Sequence, residues 1–415
     1  MFEGLFDSRL RIHELFDGPE GRLLEGFAQE LRQAGYAQIT ARGHIRAAEH
    51  LVYWTGRECR PLRTLGEPFV EEFAHHLDRC QCPRFGRTHR LHLLNGARLF
   101  LCYLRRVGEL TTSVTVPIVQ DPALFVSFCQ WMRQQRGTRD CTLYNYSLDI
   151  RDLLKRLGED PGRFDASGLR TFVLERSQRS GWAAAKRCTT AVRMFLRFLI
   201  ADGKCSAGLD AAIPALAHWR LSSLPRYLQS DEVERVVASC NPATQVGRRD
   251  RAVLLLLARL GLRAGDIVQL RLCDLDWKEA WIRVSGKGRR QALLPLTQEI
   301  GDALANYIKD GRPQAETDTL FLRVRAPFHA FRSHCAVSML VAQAMRRAGV
   351  RCPSRGAAHV LRHSVASSML RHGASLQEIA VVLRHRSIAT TEIYAKVDVG
   401  ALKQIAQPWP EVHTC

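Results

Sequence analysis

The chain has 415 residues, and because single hydrophobic cores stop growing at roughly 250–300 residues, we expect two or three domains. Hydrophobic residues make up 46% of the chain and charged residues 24%, which excludes a largely disordered protein. The formal net charge of +19, carried mainly by Arg, indicates a polyanionic partner, since the planar guanidinium group matches the phosphate oxygens of DNA or RNA.

An anionic membrane surface is the alternative partner for so basic a chain. The sequence contains no apolar run of about 18 residues, and its first segment, MFEGLFDSRLRIHELFDG, lacks the continuous apolar core of a signal peptide. The 13 cysteines are odd in number and scattered through helical segments, which is typical of reduced thiols. We therefore expect no membrane partner and a cytoplasmic location.

The first 110 residues or so have the apolar spacing of helices in AQITARGHIRAAEHLVYWTGRE, EPFVEEFAHHL and HRLHLLNGARLFLCYLRRVG. A similar succession returns about a hundred residues later in CTLYNYSLDIRDLLKRLGED, ASGLRTFVLERS and AAAKRCTTAVRMFLRFLIADG. In both, the last helix is followed by a candidate C-capping glycine, Gly108 or Gly203. This pattern indicates two tandem helical modules of similar layout. The alternative is that any two amphipathic bundles look alike at this level.

A cluster of cysteines and histidines lies within the first module, in HHLDRCQCPRFGRTHRLH (residues 75–92). The candidate zinc ligands in it are His75, His76, Cys80 and Cys82, with His89 and His92 nearby. Cys and His are the usual ligands of structural zinc, but C-x-C is not the common C-x2-C spacing. A Cys-Pro turn between helices is the alternative, and the spacing favours it.

From about residue 226 onward, helices DEVERVVASC and RRDRAVLLLLARLG precede two strand-like segments, RLCDLDW and AWIRVSGKGRRQALLPL. Helices resume at TQEIGDALANYI. The predicted fold class is therefore multidomain and mainly α, with a last domain of mostly helical α+β type that carries a small antiparallel sheet. Prolines and a Ser pair divide the chain into three predicted domains, 1–115, 116–212 and 226–415, with a linker at 213–225.

Basic and polar residues stand out at three places of this last domain. Arg263 follows a helix-ending glycine and precedes a new helix, which predicts an exposed corner, and Lys287 lies at the tip of a hairpin. In HVLRH, His359, Arg362 and His363 are three or four residues apart and share one helix face. Each of these features alone is typical of a solvated surface.

A further pair, His385 and Tyr394, lies close to the end of the sequence. Nine residues separate the two side chains, which would point them to opposite sides of one continuous helix. Ser387 is a plausible N-cap that restarts the helix between them and lets them converge.

In this order and context, the set resembles the tyrosine recombinase (phage integrase) family. The residues that carry the resemblance are Arg263, Lys287, His359, Arg362, His385 and Tyr394. The segment before them is similar in position to the family's helical, SAM-like core-binding domain. Two positions depart from the usual pattern: Asp266 stands where a Glu is common, and Arg384 where a Gly is common. Arg384 adds charge beside the site, where it could alter the approach of a phosphate.

The resemblance implies cleavage and rejoining of double-stranded DNA at specific sites without a metal or other cofactor. Tyr394 would be the nucleophile that forms a 3′-phosphotyrosyl bond, while Arg263 and Arg362 hold the phosphate. His359 would assist as base, Lys287 would protonate the leaving 5′-oxygen, and His385 would donate a hydrogen bond to the phosphate. His363 and Asp266 would support the site.

The family also implies four protomers on two recombining DNA sites, in the bacterial cytoplasm in association with the nucleoid. Companion recombinases are a further candidate partner. The additional first module indicates an enzyme that integrates, excises or transposes a mobile genetic element. The alternatives are an accessory DNA-binding member of a multi-recombinase system and a strand-passage enzyme like topoisomerase IB. The tail after Tyr394, with Leu402, Ile405 and Trp409 at helical spacing, is expected to dock on a neighbouring protomer or on its own.

Overall fold

The computed structural model describes residues 2–65, 68–85, 90–110, 121–216, 224–286, 291–354, 356–385 and 387–397. The chain divides into two compact units, one made of residues 1–113 with 221–415 and the other of residues 114–220. Helices dominate both units, and one small antiparallel sheet is present in the described part, as the predicted fold class requires.

The first part of the chain is an all-helical module with its own hydrophobic core. Its helices are α1 (Arg9–Phe16), α2 (Gly21–Gln33), α3 (Gln38–Arg57), α4 (Pro68–Asp78) and α5 (Arg90–Arg106). The central pair is α3 and α5, and they cross closely because Gly96 has no side chain. A Cβ atom there would lie 2.6 Å from the Cβ atom of Ala47.

The second unit is also helical, and it contains α6 (Ala123–Arg136), α7 (Asp140–Leu157), α8 (Ala166–Arg179) and α9 (Trp182–Ala201). Asp149 on α7 is fully buried, and ion pairs with Arg176 (3.3 Å) and Arg187 (2.9 Å) compensate its charge. The glycines that follow α5 and α9, Gly108 and Gly203, have φ angles of 78° and 69°, which confirms them as left-handed C-caps.

The last part of the chain surrounds the buried helix α11. Its helices are α10 (Ser230–Ala238), α11 (Gln245–Arg259), α12 (Ala264–Gln269), α13 (Gln298–Asp310), α14 (His334–Arg347), α15 (Ala357–Arg371) and α16 (Leu376–Val382). The sheet has the order β1 (Leu275–Asp276), β2 (Trp281–Ser285) and β3 (Gln291–Pro295), with antiparallel neighbours and Ile282 opposite Leu294. The predicted strand RLCDLDW contributes only the two residues of β1, since a 3-10 turn takes Leu272–Asp274.

After α16 the chain continues in two 3-10 helices, Ile388–Thr390 and Glu392–Val397. Ser387 caps the first of them, because its hydroxyl accepts the N–H of Ala389 at 3.3 Å. The predicted restart after His385 is therefore confirmed, although the new turn is 3-10 rather than α. Lys287 and the tail with Leu402, Ile405 and Trp409 lie outside the described residues.

Candidate active site

A tight corner between α11 and α12 positions Arg263. Gly261 ends the preceding turn with a φ of 58°, and a Cβ atom there would lie 2.6 Å from the side chain of Leu383. Arg263 itself is the N-cap of α12, and its backbone N–H donates to the carboxylate of Asp266 at 3.1 Å. Asp266 thus holds the corner in shape.

Arg362, on α15, is buried with 4% of its surface exposed. Its Nη1 donates to the carbonyl of Gly261 and its Nη2 to the carbonyl of Leu383. Arg263 reaches the same place, since its Nη2 donates to the carbonyls of Leu383 (3.4 Å) and Arg384 (2.9 Å). The shared carbonyl of Leu383 brings the two guanidinium groups side by side.

Burial makes this pairing of positive charges unfavourable. Desolvation lowers the pKa of Arg362 to about 9, and the positive charges of Arg263 and Arg384 act in the same direction. Burial likewise lowers the pKa of Arg263. The two arginines are therefore held where a bound anion would relieve a substantial electrostatic cost.

Arg384 and Asp266, the two departures from the usual family pattern, contact each other. Nη2 of Arg384 lies 2.7 Å from a carboxylate oxygen of Asp266, and both side chains are largely buried. Arg384 has a φ of 53°, in the left-handed region where glycine is most readily accommodated. Its added charge is thus partly compensated by Asp266, while its Nε and Nη1 atoms are buried without a hydrogen-bond partner in the described part of the chain.

Tyr394 lies next to this cluster and is almost completely buried, with 1% of its surface exposed. Its hydroxyl is 2.8 Å from Nδ1 of His363, and burial raises its pKa to about 12. Burial, followed by His359 and Arg362, lowers the pKa of His363 to about 4, so that its ring is neutral at pH 7 and Nδ1 can accept a hydrogen bond from the phenolic hydroxyl. His359, the expected base, is exposed on the same helix, and its ring centroid lies 6.5 Å from that of His363.

His385 is oriented by a residue that the sequence analysis missed. Nδ1 of His385 lies 2.7 Å from the hydroxyl of Thr391, which is fully buried. Burial, and then Arg362 and Arg263, lower the pKa of His385 to about 4. Thr391 precedes Tyr394 by three residues, a spacing that stacks side chains on one face of a 3-10 turn, and this was the signal available in the sequence.

The site has an excess of positive charge. Among the described residues that the contacts above connect, three guanidinium groups (Arg263, Arg362 and Arg384) face one carboxylate, Asp266. A phosphate group would balance this excess of charge and could accept hydrogen bonds from the guanidinium N–H groups that do not donate to backbone carbonyls. The arrangement therefore favours an anion beside the hydroxyl of Tyr394.

Comparison with known proteins decides the family. The model of the phage integrase family matches residues 226–400. A putative integrase/recombinase, y4rA of Sinorhizobium fredii, is 35% identical over 402 residues, which cover 95% of each chain. The chain belongs to the phage integrase family of tyrosine recombinases. A second S. fredii relative, y4rF, is 31% identical over 99% of this recombinase and 96% of the relative. The recombinase is also 28% identical to tyrosine recombinase XerD of Listeria monocytogenes, over 68% of its own length and 96% of XerD.

Solved structures of tyrosine recombinases have the same fold. XerH bound to palindromic difH, in a post-cleavage complex, matches with a TM-score of 0.54 at 18% identity, over 83% of this recombinase and 97% of XerH. A lambda integrase (75–356) dimer bound to a COC′ core site matches with a TM-score of 0.52 at 19% identity, over 69% of the recombinase and 98% of that chain. The expected family fold is therefore confirmed.

The candidate metal ligands of the first module come together only in part. His76, Cys80 and Cys82 converge, but their fourth partner is His50 of α3, whereas His75 is exposed and is not one of the converging residues. The set inferred from the sequence was therefore wrong in one member. His89 lies outside the described residues, and His92 is exposed.

Proposed function

We propose a mechanism for this recombinase, which by its family is an enzyme of site-specific DNA recombination. We propose that Tyr394 attacks the scissile phosphate of one DNA strand, forms a 3′-phosphotyrosyl bond and releases a 5′-hydroxyl. The observation that supports this role is the buried Tyr394 hydroxyl beside paired guanidinium groups with too few carboxylates to balance them. The partner of this site is double-stranded DNA carrying a recombination site.

Arg263 and Arg362 bind the non-bridging oxygens of that phosphate in the proposed reaction. Charge accumulates on these oxygens as the phenolic oxygen attacks and the 5′-oxygen leaves in line. Both side chains are already anchored to backbone carbonyls, so little reorganisation is needed when the phosphate arrives. Two arginines with histidine and lysine donors then stabilise the transition state, and no step of the proposed mechanism uses a metal ion or other cofactor.

The proton of Tyr394 must leave during attack, and His363 and His359 are the nearby acceptors. In the arrangement without DNA, burial raises the pKa of Tyr394 to about 12 and lowers the pKa of His363 to about 4, and both shifts oppose proton transfer from the phenol to the imidazole. Proton transfer to His363 is therefore unfavourable before DNA binds. In the proposed reaction, the exposed His359 acts as the base once DNA is bound, while His363 orients the phenol.

The remaining roles follow the family pattern. His385, oriented by Thr391, donates a hydrogen bond to the phosphate. Lys287 protonates the leaving 5′-oxygen. In the rejoining step, the 5′-hydroxyl of the partner strand attacks the phosphotyrosyl bond and gives its proton to Lys287, while Tyr394 leaves and regains its phenolic proton. Because the covalent bond conserves the energy of the phosphodiester, rejoining to a new strand needs no nucleotide hydrolysis.

We infer a role in mobile-element integration, excision or transposition from the additional N-terminal helices, which would extend the DNA footprint. Four protomers would act together on two DNA sites, with companion recombinases as further partners, in the bacterial cytoplasm at the nucleoid. The segments 1–115, 116–212 and 226–415 would act as additional, core-binding and catalytic domains, joined by a linker at 213–225.

The test is a recombination assay in EDTA with DNA that carries the joined ends of the element encoding the enzyme. The wild-type protein should exchange strands between two such DNAs, and Tyr394→Phe should bind them equally well without exchange. The matched control is Tyr144→Phe, because Tyr144 is exposed on α7. Relaxation of supercoiled DNA without exchange would favour the strand-passage enzyme, and tight binding without cleavage would favour the accessory role.

A further inference from the structure

Four side chains of the first helical module direct ligand atoms towards one point. His50 lies on α3, His76 on the last turn of α4, and Cys80 and Cys82 on the turn that follows. The imidazole nitrogens and thiol sulfurs all lie within 4.8 Å of one another. The cluster thus joins α3 to the end of α4 and to the turn after it.

Three of the six separations between these ligand atoms agree with the edges of a zinc-centred tetrahedron, and all six are no longer than 4.8 Å. Nε2 of His50 lies 3.4 Å from Nε2 of His76 and 3.3 Å from Sγ of Cys80, and Sγ of Cys82 lies 3.5 Å from Nε2 of His76. Zinc bonds of about 2.0–2.1 Å to nitrogen and 2.3 Å to sulfur at tetrahedral angles place two nitrogens about 3.3 Å apart and nitrogen and sulfur about 3.6 Å apart. Every one of these contacts falls within about 0.3 Å of those values.

The surroundings hold the ligands in this orientation. Phe85 stacks on the ring of His50 with centroids 4.3 Å apart and planes 6° apart, and Trp54 stacks on His76 at 4.8 Å and 16°. The backbone N–H of Cys82 donates to Sγ of Cys80 at 3.4 Å, a contact that stabilises a thiolate. A site whose ligands are fixed before the metal arrives binds it with less loss of conformational freedom.

Hydrogen bonding alone explains the cluster less well than a bound metal ion does. His50 is 1% exposed, and its Nδ1 has no hydrogen-bond partner in the described part of the chain. This buried ring therefore makes its polar contacts through Nε2, which faces His76 and Cys80. A chain of hydrogen bonds would need neither both thiols nor their approach to a common centre. Two thiolates and two neutral imidazoles, by contrast, bring a divalent cation to zero net charge inside the module.

We propose that His50, His76, Cys80 and Cys82 bind one Zn²⁺ and that this ion ties α3, α4 and the following turn together. All four tetrahedral positions are filled by the protein, which makes the site structural rather than catalytic. The turn that it fixes carries Arg84, whose φ is 72° and whose carbonyl accepts Nη2 of Arg46 at 2.9 Å. The proposal is independent of the DNA chemistry at Tyr394.

The first test measures the zinc content of untagged full-length protein after removal of loosely bound metal by gel filtration. We expect about one zinc per chain in the wild type and at least a tenfold loss in Cys82→Ser and His76→Asn. The matched controls are Cys102→Ser and His75→Asn, because both of these side chains are exposed neighbours outside the cluster. They should retain the full content. Less than about a tenth of one zinc in the wild type, or equal content in all four variants, would overturn the proposal.

A second test uses only the wild-type chain, so misfolding of a variant cannot obscure the answer. Zinc is exchanged for Co²⁺, whose visible spectrum distinguishes coordination geometries. The proposal predicts intense d–d bands of tetrahedral cobalt together with thiolate-to-cobalt charge transfer, and a lower melting temperature after the metal is removed by 1,10-phenanthroline. A weak octahedral spectrum without charge transfer would refute the proposed ligand set.

Discussion

Replacing Arg362 by Lys tests whether the proposed phosphate site depends on burying its positive charge. Arg362 is 4% exposed and donates to the carbonyls of both Gly261 and Leu383. A lysine retains the charge but has a single ammonium group, which cannot bridge two carbonyls and a phosphate at the same time. The substitution therefore separates the contribution of the positive charge from that of the guanidinium geometry.

The size of the effect follows from the pKa of the native side chain. Burial and the neighbouring Arg263 and Arg384 lower the pKa of Arg362 from 12.5 to about 9, equivalent to about 5 kcal/mol. The same surroundings would lower the pKa of a lysine from about 10.4 to about 7. Half of the lysines would then be neutral at pH 7, and the charged fraction would rise as the pH falls.

The assay is single-turnover formation of the covalent protein–DNA adduct, with DNA well below its dissociation constant so that the rate reflects the free protein. Relative to the wild type, Arg362→Lys should be about tenfold more active at pH 6 than at pH 8. It should remain roughly 10²–10³ times slower than the wild type even at pH 6, since transition-state donors are lost. Arg371→Lys, an exposed exchange on the same helix, should follow the wild type. An Arg362→Lys protein whose rate parallels the wild type across this pH range would refute the reasoning.

Three further predictions concern the residues around this arginine pair. Arg384→Gly should be about 1–2 kcal/mol more stable than Arg384→Ala in denaturant titrations. Both variants lose the ion pair with Asp266, but only glycine adopts a φ of 53° without strain, so equal stabilities would contradict this prediction. Thr391→Val should lose about 1–3 kcal/mol of unfolding free energy because His385 loses its buried hydrogen-bond partner, whereas Thr391→Ser should keep the wild-type stability. A Thr391→Val protein as stable as the wild type would show that the contact is dispensable. The wild type should lose stability as the pH falls from about 6.5 to about 4, because His363 and His385 bind protons in the unfolded state while their folded pKa values are about 4. Urea titrations at pH 7 and pH 5 would measure this loss, and His363→Gln should reduce it; a wild type equally stable at both values would contradict it.

Local pattern was enough to predict the helices, the capping glycines and the restart at Ser387, because each depends on residues a few positions apart. The face shared by HVLRH was predicted less well. His359 is exposed while Arg362 is buried, since the long guanidinium side chain crosses to carbonyls that lie 101 and 21 residues away. The spacing along a helix shows which residues are neighbours, but it does not show which of them the tertiary fold covers.

Contacts over long sequence separations account for the remaining differences. The pairing of Arg384 with Asp266 spans 118 residues, so the two unusual residues could be noticed in the sequence but not connected. His50 joins a cluster on the next helix, whereas proximity in the sequence indicates His75, the neighbour of His76. Such contacts depend on how helices pack, for which a single sequence carries little information.

The most direct test of the mechanism identifies the amino acid that becomes joined to DNA. The enzyme is incubated in EDTA with nicked suicide DNA, the covalent adduct is isolated and digested, and the nucleotide-bearing peptide is sequenced by mass spectrometry. The proposed mechanism predicts a single modified residue, Tyr394, linked to a 3′-phosphate, and a free 5′-hydroxyl on the released strand. Modification of another tyrosine, or a 5′-phosphate linkage at Tyr394, would contradict it.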